Sequence, residues 1–204
     1  MKPKNELERM ISGLLYDASN KELTRARSQC RNLLDTFNSL PFSAKTERNT
    51  VISELFGRIG NNISINKPFY CDYGFNIEVG DNFYANFDCI ILDVCPVVIG
   101  NNVFLGPRVS ILTASHPLDK DVRNTTLELG KKVVIGSDVW IGGSVVINPG
   151  VIIGDNVVIG SGSVVTKDIP SNTIAAGNPC KVLRSITDSD KTFWEREKEK
   201  YDNY

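Results

Sequence analysis

A strict repeat of six residues runs from Ile135 to Pro170 and constrains this chain more than any other feature. An α-helix repeats near 3.6 residues and an ordinary strand repeats at two, so neither element explains it. A period of six suits a short flat strand followed by a turn, and three such sides close into a triangular coil. The sequence therefore predicts a mainly β protein, a parallel β-helix whose stacked coils bury one ladder residue per side. The predicted inward residues are Ile135, Val139, Ile141, Val145, Ile147, Val151, Ile153, Val157, Ile159, Ser163, Val165 and Ile169.

A second repeated element, Gly-x-Asn or Gly-x-Asp, indicates where the coil is interrupted. It recurs at spacings of 20, 20, 36 and 18 residues, beginning at Gly60, Gly80, Gly100, Gly136 and Gly154. Three hexads make one coil, so the longest spacing contains about one coil too many. We predict an inserted loop at about residues 113–130, and insertions in solenoids often lie on the binding face. The only histidine of the chain, His116, lies in this insertion within T-A-S-H-P-L-D.

The rest of the chain divides into a cap and a tail. Residues 1–58 carry apolar residues at helical spacing and are predicted to form an N-terminal helical cap, with Ser43 capping its third helix. A cap of this kind covers the unpaired strand edges at the end of a solenoid. The β-helix is expected over residues 59–184. Residues 185–204 form a charged tail, expected to be a solvated helix or a frayed end.

Composition excludes several classes of function. The 204 residues include 41% hydrophobic residues and carry a formal net charge of −1. This balance argues against a nucleic-acid surface and against a polybasic membrane patch. No apolar run approaches the roughly 18 residues of a membrane span, and the charged N-terminus does not resemble a signal peptide, so we expect a cytoplasmic protein. Neither a Walker loop nor a Rossmann glycine pattern is present, which argues against a sugar-nucleotide pyrophosphorylase.

The cysteines and the single histidine bear on metal binding. The five cysteines are odd in number and lack C-x-x-C spacing, so we favour small apolar core residues over a redox or metal role. A zinc hydratase of the carbonic anhydrase type needs three histidine ligands, and this chain has one. We therefore expect no metal site. The cysteines are Cys30, Cys71, Cys89, Cys95 and Cys180.

Three groups of polar residues are candidates for the chemistry. His116 is suited to general base catalysis because an unperturbed histidine has a pKa of about 6.5, although a lone histidine can also be a plain loop residue. Four carboxylate and amide residues could bind a polyhydroxyl substrate, although such residues at solenoid turns more often satisfy backbone groups: Asp17, Asp72, Asn86 and Asp93. Three cations near the end of the helix could hold a phosphorylated ligand, or could be solvated surface charge: Lys167, Lys181 and Arg184.

Beyond these patterns, the chain resembles the maltose and galactoside O-acetyltransferases of the hexapeptide-repeat superfamily. The resemblance covers nearly the whole chain and leans toward the maltose-type branch. The hexads identify only the superfamily, whereas the loop motif, V-W-I-G and A-G-N-P are more specific. The residues that carry it, besides the hexads, are Tyr16–Asp17, Asp72–Gly74, Ala85–Cys89, Thr113–Asp119, Val139–Gly143, Ile147–Val151, Val164–Pro170 and Ala176–Val182.

The resemblance implies a left-handed coil, a homotrimer with sites between subunits, and a set of functional residues. By resemblance, His116 matches the catalytic histidine. The acceptor sugar is expected near Asp17, Asp72, Asn86 and Asp93. The coenzyme A channel is expected along Asn86, Trp140, Gly143, Ser161, Thr166, Lys167, Lys181 and Arg184. Two residues depart from the pattern: Gly143 stands where galactoside enzymes carry Ser, and Lys181 replaces a frequent Arg and so loses its bidentate fork.

The implied reaction is direct transfer of acetyl from acetyl-CoA to a sugar hydroxyl, with His116 as base and a backbone N–H at Gly143 for the oxyanion. The substrates are thus a small sugar and acetyl-CoA, with no metal, nucleic acid or membrane. Two alternatives remain open from the sequence. The acceptor could instead be an antibiotic or an amino sugar, or the chain could be a non-catalytic β-helix used for binding.

Overall fold

A computed structural model of the chain describes residues 3–204, so the first two residues of the predicted cap lie outside it. The described residues form five helices: α1 (Glu6–Ile11), α2 (Lys21–Ser39), α3 (Lys45–Leu55), α4 (Lys120–Arg123) and α5 (Asp188–Asp202). They also form twenty short strands: β1 (Tyr16–Asp17), β2 (Arg58–Ile59), β3 (Ser64–Ile65), β4 (Phe69–Cys71), β5 (Ile77–Val79), β6 (Tyr84–Ala85), β7 (Cys89–Leu92), β8 (Val97–Ile99), β9 (Phe104–Leu105), β10 (Ser110–Leu112), β11 (Ala114–Ser115), β12 (Leu127–Gly130), β13 (Val133–Ile135), β14 (Trp140–Ile141), β15 (Val146–Ile147), β16 (Ile152–Ile153), β17 (Val157–Ile159), β18 (Val164–Val165), β19 (Thr173–Ala176) and β20 (Lys181–Ser185).

Three sheets form the three sides of a parallel β-helix. Their strand orders are β18-β15-β10-β7-β4, β16-β13-β8-β5-β2 and β20-β19-β17-β14-β9-β6-β3. Each strand pairs in parallel with the equivalent strand of the next coil, except that β20 turns back antiparallel to β19. Val79, Ile99, Ile135 and Ile153 stack in one register across four coils. The predicted parallel β-helix is confirmed.

The hexad register places the predicted ladder inside. All twelve inward positions of residues 135–170 are at most 4% exposed, including Ser163. Ser163 is tolerated there because its hydroxyl donates to Gly160 O at 2.5 Å and accepts from Gly177 N at 3.0 Å. The aliphatic ladder is continuous with the cap, where Cys30, Leu34 and Phe37 of α2 and Ile52 of α3 join the same core. Burial of this ladder is the main stabilising contribution to the fold.

The Gly-x-Asn and Gly-x-Asp elements form one corner of the coil. Their third residues adopt positive φ angles, between 52° and 59°, which asparagine and aspartate tolerate better than other side chains. These side chains form hydrogen bonds between neighbouring coils: Asn82 Nδ2 donates to Asn102 Oδ1, and Asn102 Nδ2 donates to Asp138 Oδ1, each at 2.8 Å. The glycines allow the backbones of neighbouring coils to approach closely, since a Cβ at Gly100 would lie 2.7 Å from the carbonyl carbon of Gly136.

Two details of the cap differ from expectation. Tyr16 and Asp17 form strand β1 instead of helix, because they pair antiparallel with Glu128 and Leu127 of β12. Helix α3 begins at Lys45 with Ala44 at its N-cap and no side-chain cap, so the prediction that Ser43 caps it was wrong. The first departure arises from a strand pairing that is distant in sequence and that overrides the local helical propensity.

Candidate active site

His116 is positioned by the insertion. The chain leaves the coil after Thr113 and returns at Lys131, whose N–H donates to Thr113 O at 2.9 Å. Between them, β11 and β12 form a hairpin in which Ser115 lies opposite Leu129. Strand β1 of the cap pairs with the other edge of β12 and makes a separate three-stranded sheet. His116 follows β11 directly, so it lies where the insertion, the coil and the cap meet.

The first cleft beside His116, which we call the cap cleft, is rich in charged and hydroxyl groups. Its polar lining comprises Tyr16, Arg27, Arg31, Asp72, Tyr73, His116 and Glu128. Tyr16 Oη donates to Glu128 Oε2 at 2.7 Å, and Arg27 donates to Tyr73 Oη at 2.6 Å. The Arg27 guanidinium carbon also lies 5.7 Å from the centre of the Tyr73 ring. These contacts fix the cleft walls before any ligand binds.

Burial affects the acids of this cleft. It raises the pKa of the Asp72 carboxyl, while the nearby Arg27 guanidinium acts in the opposite direction. Burial also raises the pKa of Tyr16, reinforced by its hydrogen bond to Glu128. Tyr16 therefore stays a neutral hydroxyl donor. Two carboxyl groups and two guanidinium groups around one space provide the mixed donors and acceptors that hydroxyl-rich molecules need.

A second cleft, the coil cleft, opens on the other side of His116. It is lined by Ser115, His116, Pro117, Leu118, Leu129, Lys131, Asn148, Pro149 and Thr166. Asn148 and Thr166 follow β15 and β18, which are neighbours on one side of the coil. The cleft therefore runs from His116 along successive coils toward the C-terminal end. His116 is the one residue that lines both the cap cleft and the coil cleft.

The predicted acceptor residues occupy different places. Only Asp72 lines the cap cleft, while Asn86 lies on another face of the coil. The side chain of Asp17 accepts from Ser19 N at 2.8 Å and Ser19 Oγ at 2.7 Å, and these bonds lower the pKa of its carboxyl. Asp17 is not among the residues that line the cap cleft, whereas its neighbour Tyr16 is.

Asp93 is buried beneath the cap cleft and is 0% exposed. Its carboxylate accepts from the backbone N–H groups of Asp72 at 3.0 Å, Tyr73 at 2.9 Å and Asn76 at 3.4 Å. Burial raises the pKa of Asp93 to about 6, although the N–H donors favour the charged form. Asp93 therefore holds the loop that carries Asp72 and Tyr73 and does not itself face the cleft.

A third region, the aromatic face, collects half of the predicted donor residues. Tyr84, Phe104 and Trp140 stack across three coils with their side chains outward. Four of the predicted donor residues belong to this face: Asn86, Trp140, Gly143 and Ser161. The N–H of Gly143 donates to no acceptor within residues 3–204. His116 is not part of this region, so one chain does not bring the predicted set into a single cleft.

The predicted cations lie toward the C-terminal end. Thr166 lines the coil cleft, and Lys167 follows it as an exposed residue. Lys181 is exposed on β20. The two terminal nitrogens of Arg184 donate to the Asp190 carboxylate at 2.7 and 2.8 Å, so this guanidinium already binds the first turn of α5.

Several lining residues were not predicted from the sequence. Glu128, Arg27, Arg31 and Tyr73 line the cap cleft, and Lys131 and Asn148 line the coil cleft. Arg27 and Arg31 lie one helical turn apart and flank the apolar stripe of α2. This spacing was the only local signal that they could share one site. The position of Glu128 depends on the pairing of β12 with β1, which no local pattern indicates.

The described residues also bear on metal binding and on membrane spanning. Within residues 3–204, no cluster of three or more His, Cys, Asp or Glu side chains is suited to hold a metal ion. No helix in that part of the chain has the length and apolar character needed to cross a membrane. All five cysteines are buried and free.

Family models and relatives of known sequence match both the cap and the coil of this chain. A family model described as the maltose acetyltransferase hexapeptide capping motif matches residues 9–60. A bacterial transferase hexapeptide model with six repeats matches residues 132–167. The galactoside O-acetyltransferase of Escherichia coli K12 is 43% identical over 187 residues, covering 92% of each chain.

Solved structures of acetyltransferases also match this chain. The crystal structure of a maltose O-acetyltransferase from Clostridium difficile 630 has a TM-score of 0.90 and 50% identity, covering 91% of this chain and 100% of that one. A galactoside acetyltransferase in complex with coenzyme A has a TM-score of 0.89 and 43% identity, with 94% of each chain covered. The resemblance stated from the motifs is thereby confirmed, and the chain belongs to the galactoside and maltose O-acetyltransferase family of hexapeptide-repeat acetyltransferases.

Proposed function

We propose that this acetyltransferase transfers the acetyl group of acetyl-CoA to a hydroxyl of a small sugar, with His116 as general base. The observation that carries this proposal is that His116 lines two clefts of opposite character. The charged cap cleft suits a polyhydroxyl acceptor. The coil cleft, whose lining continues along successive coils, suits the extended arm of a thioester donor. A base between two substrates is the arrangement that direct transfer requires.

The proposed chemistry needs no covalent enzyme intermediate, because a thioester is already activated. Neutral His116 takes the proton of a sugar hydroxyl as its oxygen bonds to the acetyl carbonyl carbon. The carbonyl oxygen then carries negative charge in the tetrahedral intermediate. The carbon–sulfur bond breaks, the imidazolium returns the proton to the leaving thiolate, and the products are an acetyl ester and free coenzyme A.

The oxyanion requires a fixed donor, and we assign this to the N–H of Gly143 in a second copy of the chain. Within one chain this N–H lacks an acceptor and lies on the aromatic face, away from His116. Docking the aromatic face of one copy against the coil cleft of the next would bring Asn86, Trp140 and Gly143 beside His116. A closed ring of such head-to-tail contacts is a cyclic oligomer, and we propose the trimer of the family.

For the acceptor, we assign Asp72, Glu128, Arg27 and Arg31 as the groups that bind sugar hydroxyls, with Asn86 of the second copy near the reacting centre. Asp93 acts behind them by fixing the loop of Asp72. Asp17 stays a proposed acceptor residue by resemblance. For the donor, we assign Ser161, Thr166, Lys167 and Lys181 along the channel. Because the Arg184 guanidinium already donates to Asp190, it can contact a phosphate only if it binds both groups or breaks the ion pair. Acetyl-CoA is a cytoplasmic metabolite, so we propose that the protein works there.

The test is release of free thiol from acetyl-CoA by the purified protein, with and without acceptors. We expect slow release alone and fast release with one or more of maltose, glucose and a galactoside. Mass spectrometry of the sugar should show one added acetyl group. If the protein acetylates an amino sugar or an aminoglycoside antibiotic but no neutral sugar, the proposed acceptor class is wrong and acetyl-CoA remains the proposed donor. No stimulation by any acceptor, with no binding of coenzyme A, would refute the proposal.

A further inference from the structure

Lys131 is a cation in the coil cleft to which no role has been assigned. It is the first residue after the insertion, and its side chain lies across the turn that follows β15. A Cβ built on Gly150 would lie 3.1 Å from Lys131 Cδ and 3.3 Å from its Cβ. Gly150 has a φ of 86°, so the glycine leaves room for the lysine stem where another residue would be strained. The aliphatic stem of Lys131 thus packs over Gly150, at the middle coil of the cleft.

The Lys131 ammonium group has no protein partner in the described part of the chain. It forms none of the ion pairs or side-chain hydrogen bonds found among residues 3–204. An ammonium group offers three donors and no acceptor, so its partner in the cleft must present an oxygen. The adjacent Lys132 is also exposed but does not line the cleft.

The position of Lys131 along the cleft decides which oxygen it can meet. His116 follows the coil that contains β10, Asn148 follows β15 one coil further, and Thr166 follows β18 a coil beyond that. Neighbouring strands are roughly 4.8 Å apart, so the cleft from His116 to Thr166 spans on the order of 10 Å. An extended pantetheine arm is longer than this distance. Lys131, lying over the middle coil, is therefore level with the amide groups of the arm and not with the phosphates.

We propose that Lys131 is a donor-positioning residue whose ammonium group donates to an amide carbonyl oxygen of the pantetheine arm of acetyl-CoA. This inference rests on the proposed function, since it requires the donor to lie in the coil cleft with its thioester at His116. The contact fixes the depth to which the arm enters. It thereby aligns the acetyl carbonyl with the acceptor hydroxyl.

The experiment compares two inhibitors that compete with acetyl-CoA: coenzyme A, and pantetheine, which has the arm but no phosphate. The variants are Lys131→Met, Lys131→Arg and the matched control Lys132→Met. We expect Lys131→Met to raise the KM for acetyl-CoA and the inhibition constants of both inhibitors about tenfold, the effect of losing one charge-assisted hydrogen bond. The KM for the sugar should change less than twofold. Lys131→Arg should recover part of the loss, and Lys132→Met should match wild type.

Other outcomes overturn the inference. If Lys131→Met weakens coenzyme A but not pantetheine, and salt removes the effect, the lysine contacts a phosphate. If pantetheine does not inhibit wild type, or if Lys131→Met matches wild type throughout, no arm contact exists. An equal rise in the sugar KM or a lowered melting temperature would assign a structural role. If wild type itself neither binds coenzyme A nor transfers acetyl, the proposed function fails first.

Discussion

His116 is exposed in the insertion, yet the backbone on either side of it is held by hydrogen bonds. Thr113, three residues before it, is buried, donates to Leu92 O at 2.6 Å and accepts from Cys95 N at 3.0 Å. The hairpin that follows is paired to the cap. An exposed side chain on a well-fixed backbone can be removed without disturbing packing. The histidine can therefore be tested separately from the stability of the protein.

Replacing His116 by Ala should lower kcat on the order of 10²-fold or more, because a general base contributes that much to proton transfer. The melting temperature and the oligomeric state should match wild type. Steady-state kinetics and thermal unfolding measure the two effects. The control is Lys120→Ala, an exposed residue of the same insertion whose side chain pairs only with Asp121. A His116→Ala variant that keeps more than about a tenth of wild-type kcat would place the base elsewhere.

Asp93 gives a second prediction, on the dependence of stability on pH. Its folded pKa of about 6 lies above the ordinary value of 3.8. The folded state therefore holds this proton more tightly, and the contribution of Asp93 to stability falls as pH rises from about 4 through about 6. Asp93→Asn removes this titration and one acceptor oxygen, so it should be less stable than wild type by roughly 1–3 kcal/mol.

The difference between wild type and Asp93→Asn in the free energy of unfolding should be larger at pH 5 than at pH 8. Urea denaturation at both pH values measures it. The sugar KM should also rise, because the loop of Asp72 and Tyr73 loses the carboxylate that holds it. A difference that is equal at the two pH values, or larger at pH 8, would show that Asp93 is charged in the folded state at both.

At the scale of elements, the hexad repeat works because each hexad supplies two inward residues, such as Ile147 and Val151, and one turn. Within the coil, sequence-adjacent strands up to β19 belong to different sheets, and the pairing partner lies one coil away. Helix α5 is a contrasting element. None of its residues is buried, and it is held by its capping box and by the ion pair of Asp190 with Arg184. A helix without a buried face gains little from packing, so these terminal contacts determine its position.

A pair of substitutions tests the register of the coil. Val151→Asp should unfold or aggregate the protein, because Val151 is 2% exposed and an unpaired buried carboxylate costs several kcal/mol. Asn156→Asp should cost only about 1 kcal/mol, because this exposed corner side chain loses one hydrogen bond, to Asn172 Oδ1, and any repulsion from Asp138 in the neighbouring coil is screened by solvent. Yield of folded protein and thermal unfolding compare the two. Equal tolerance would mean that the inward positions are wrongly assigned.

At the scale of the whole molecule, the proposed site is divided between two regions. His116 lies between the cap and coil clefts, whereas Asn86, Trp140 and Gly143 lie on the aromatic face. Phe104 and Trp140 are 49% and 55% exposed on that face. An exposed aromatic surface next to half of a site is typical of a subunit contact.

Mixing two inactive variants tests this arrangement. His116→Ala and Asn86→Ala should each be impaired alone. Co-assembled oligomers should recover activity, because some interfaces then pair an intact histidine from one copy with an intact Asn86 from the next. Random assortment should restore about a quarter of the wild-type sites. Refolding the two variants together, with each variant refolded alone as control, measures the recovery. No recovery in verified mixed oligomers would place both residues within one chain's site.

The sequence by itself determined the coil, because its period is local and repeats every six residues. It also determined the insertion and the position of His116, through one anomalous spacing. Hydrophobic periodicity needs no knowledge of distant contacts, so Val151 and Ile153 could be assigned correctly from the chain alone.

Only the tertiary structure decided which polar residues face the clefts. Asp72 and Asp93 look alike as turn aspartates, yet one lines the cap cleft and the other is buried under it. Glu128 enters the cleft because β12 pairs with β1, more than a hundred residues away in sequence. Arg184 is bound to Asp190, which no charge pattern required. A polar side chain gains a similar free energy from solvent, a ligand or a backbone group, so its partner depends on the three-dimensional packing around it.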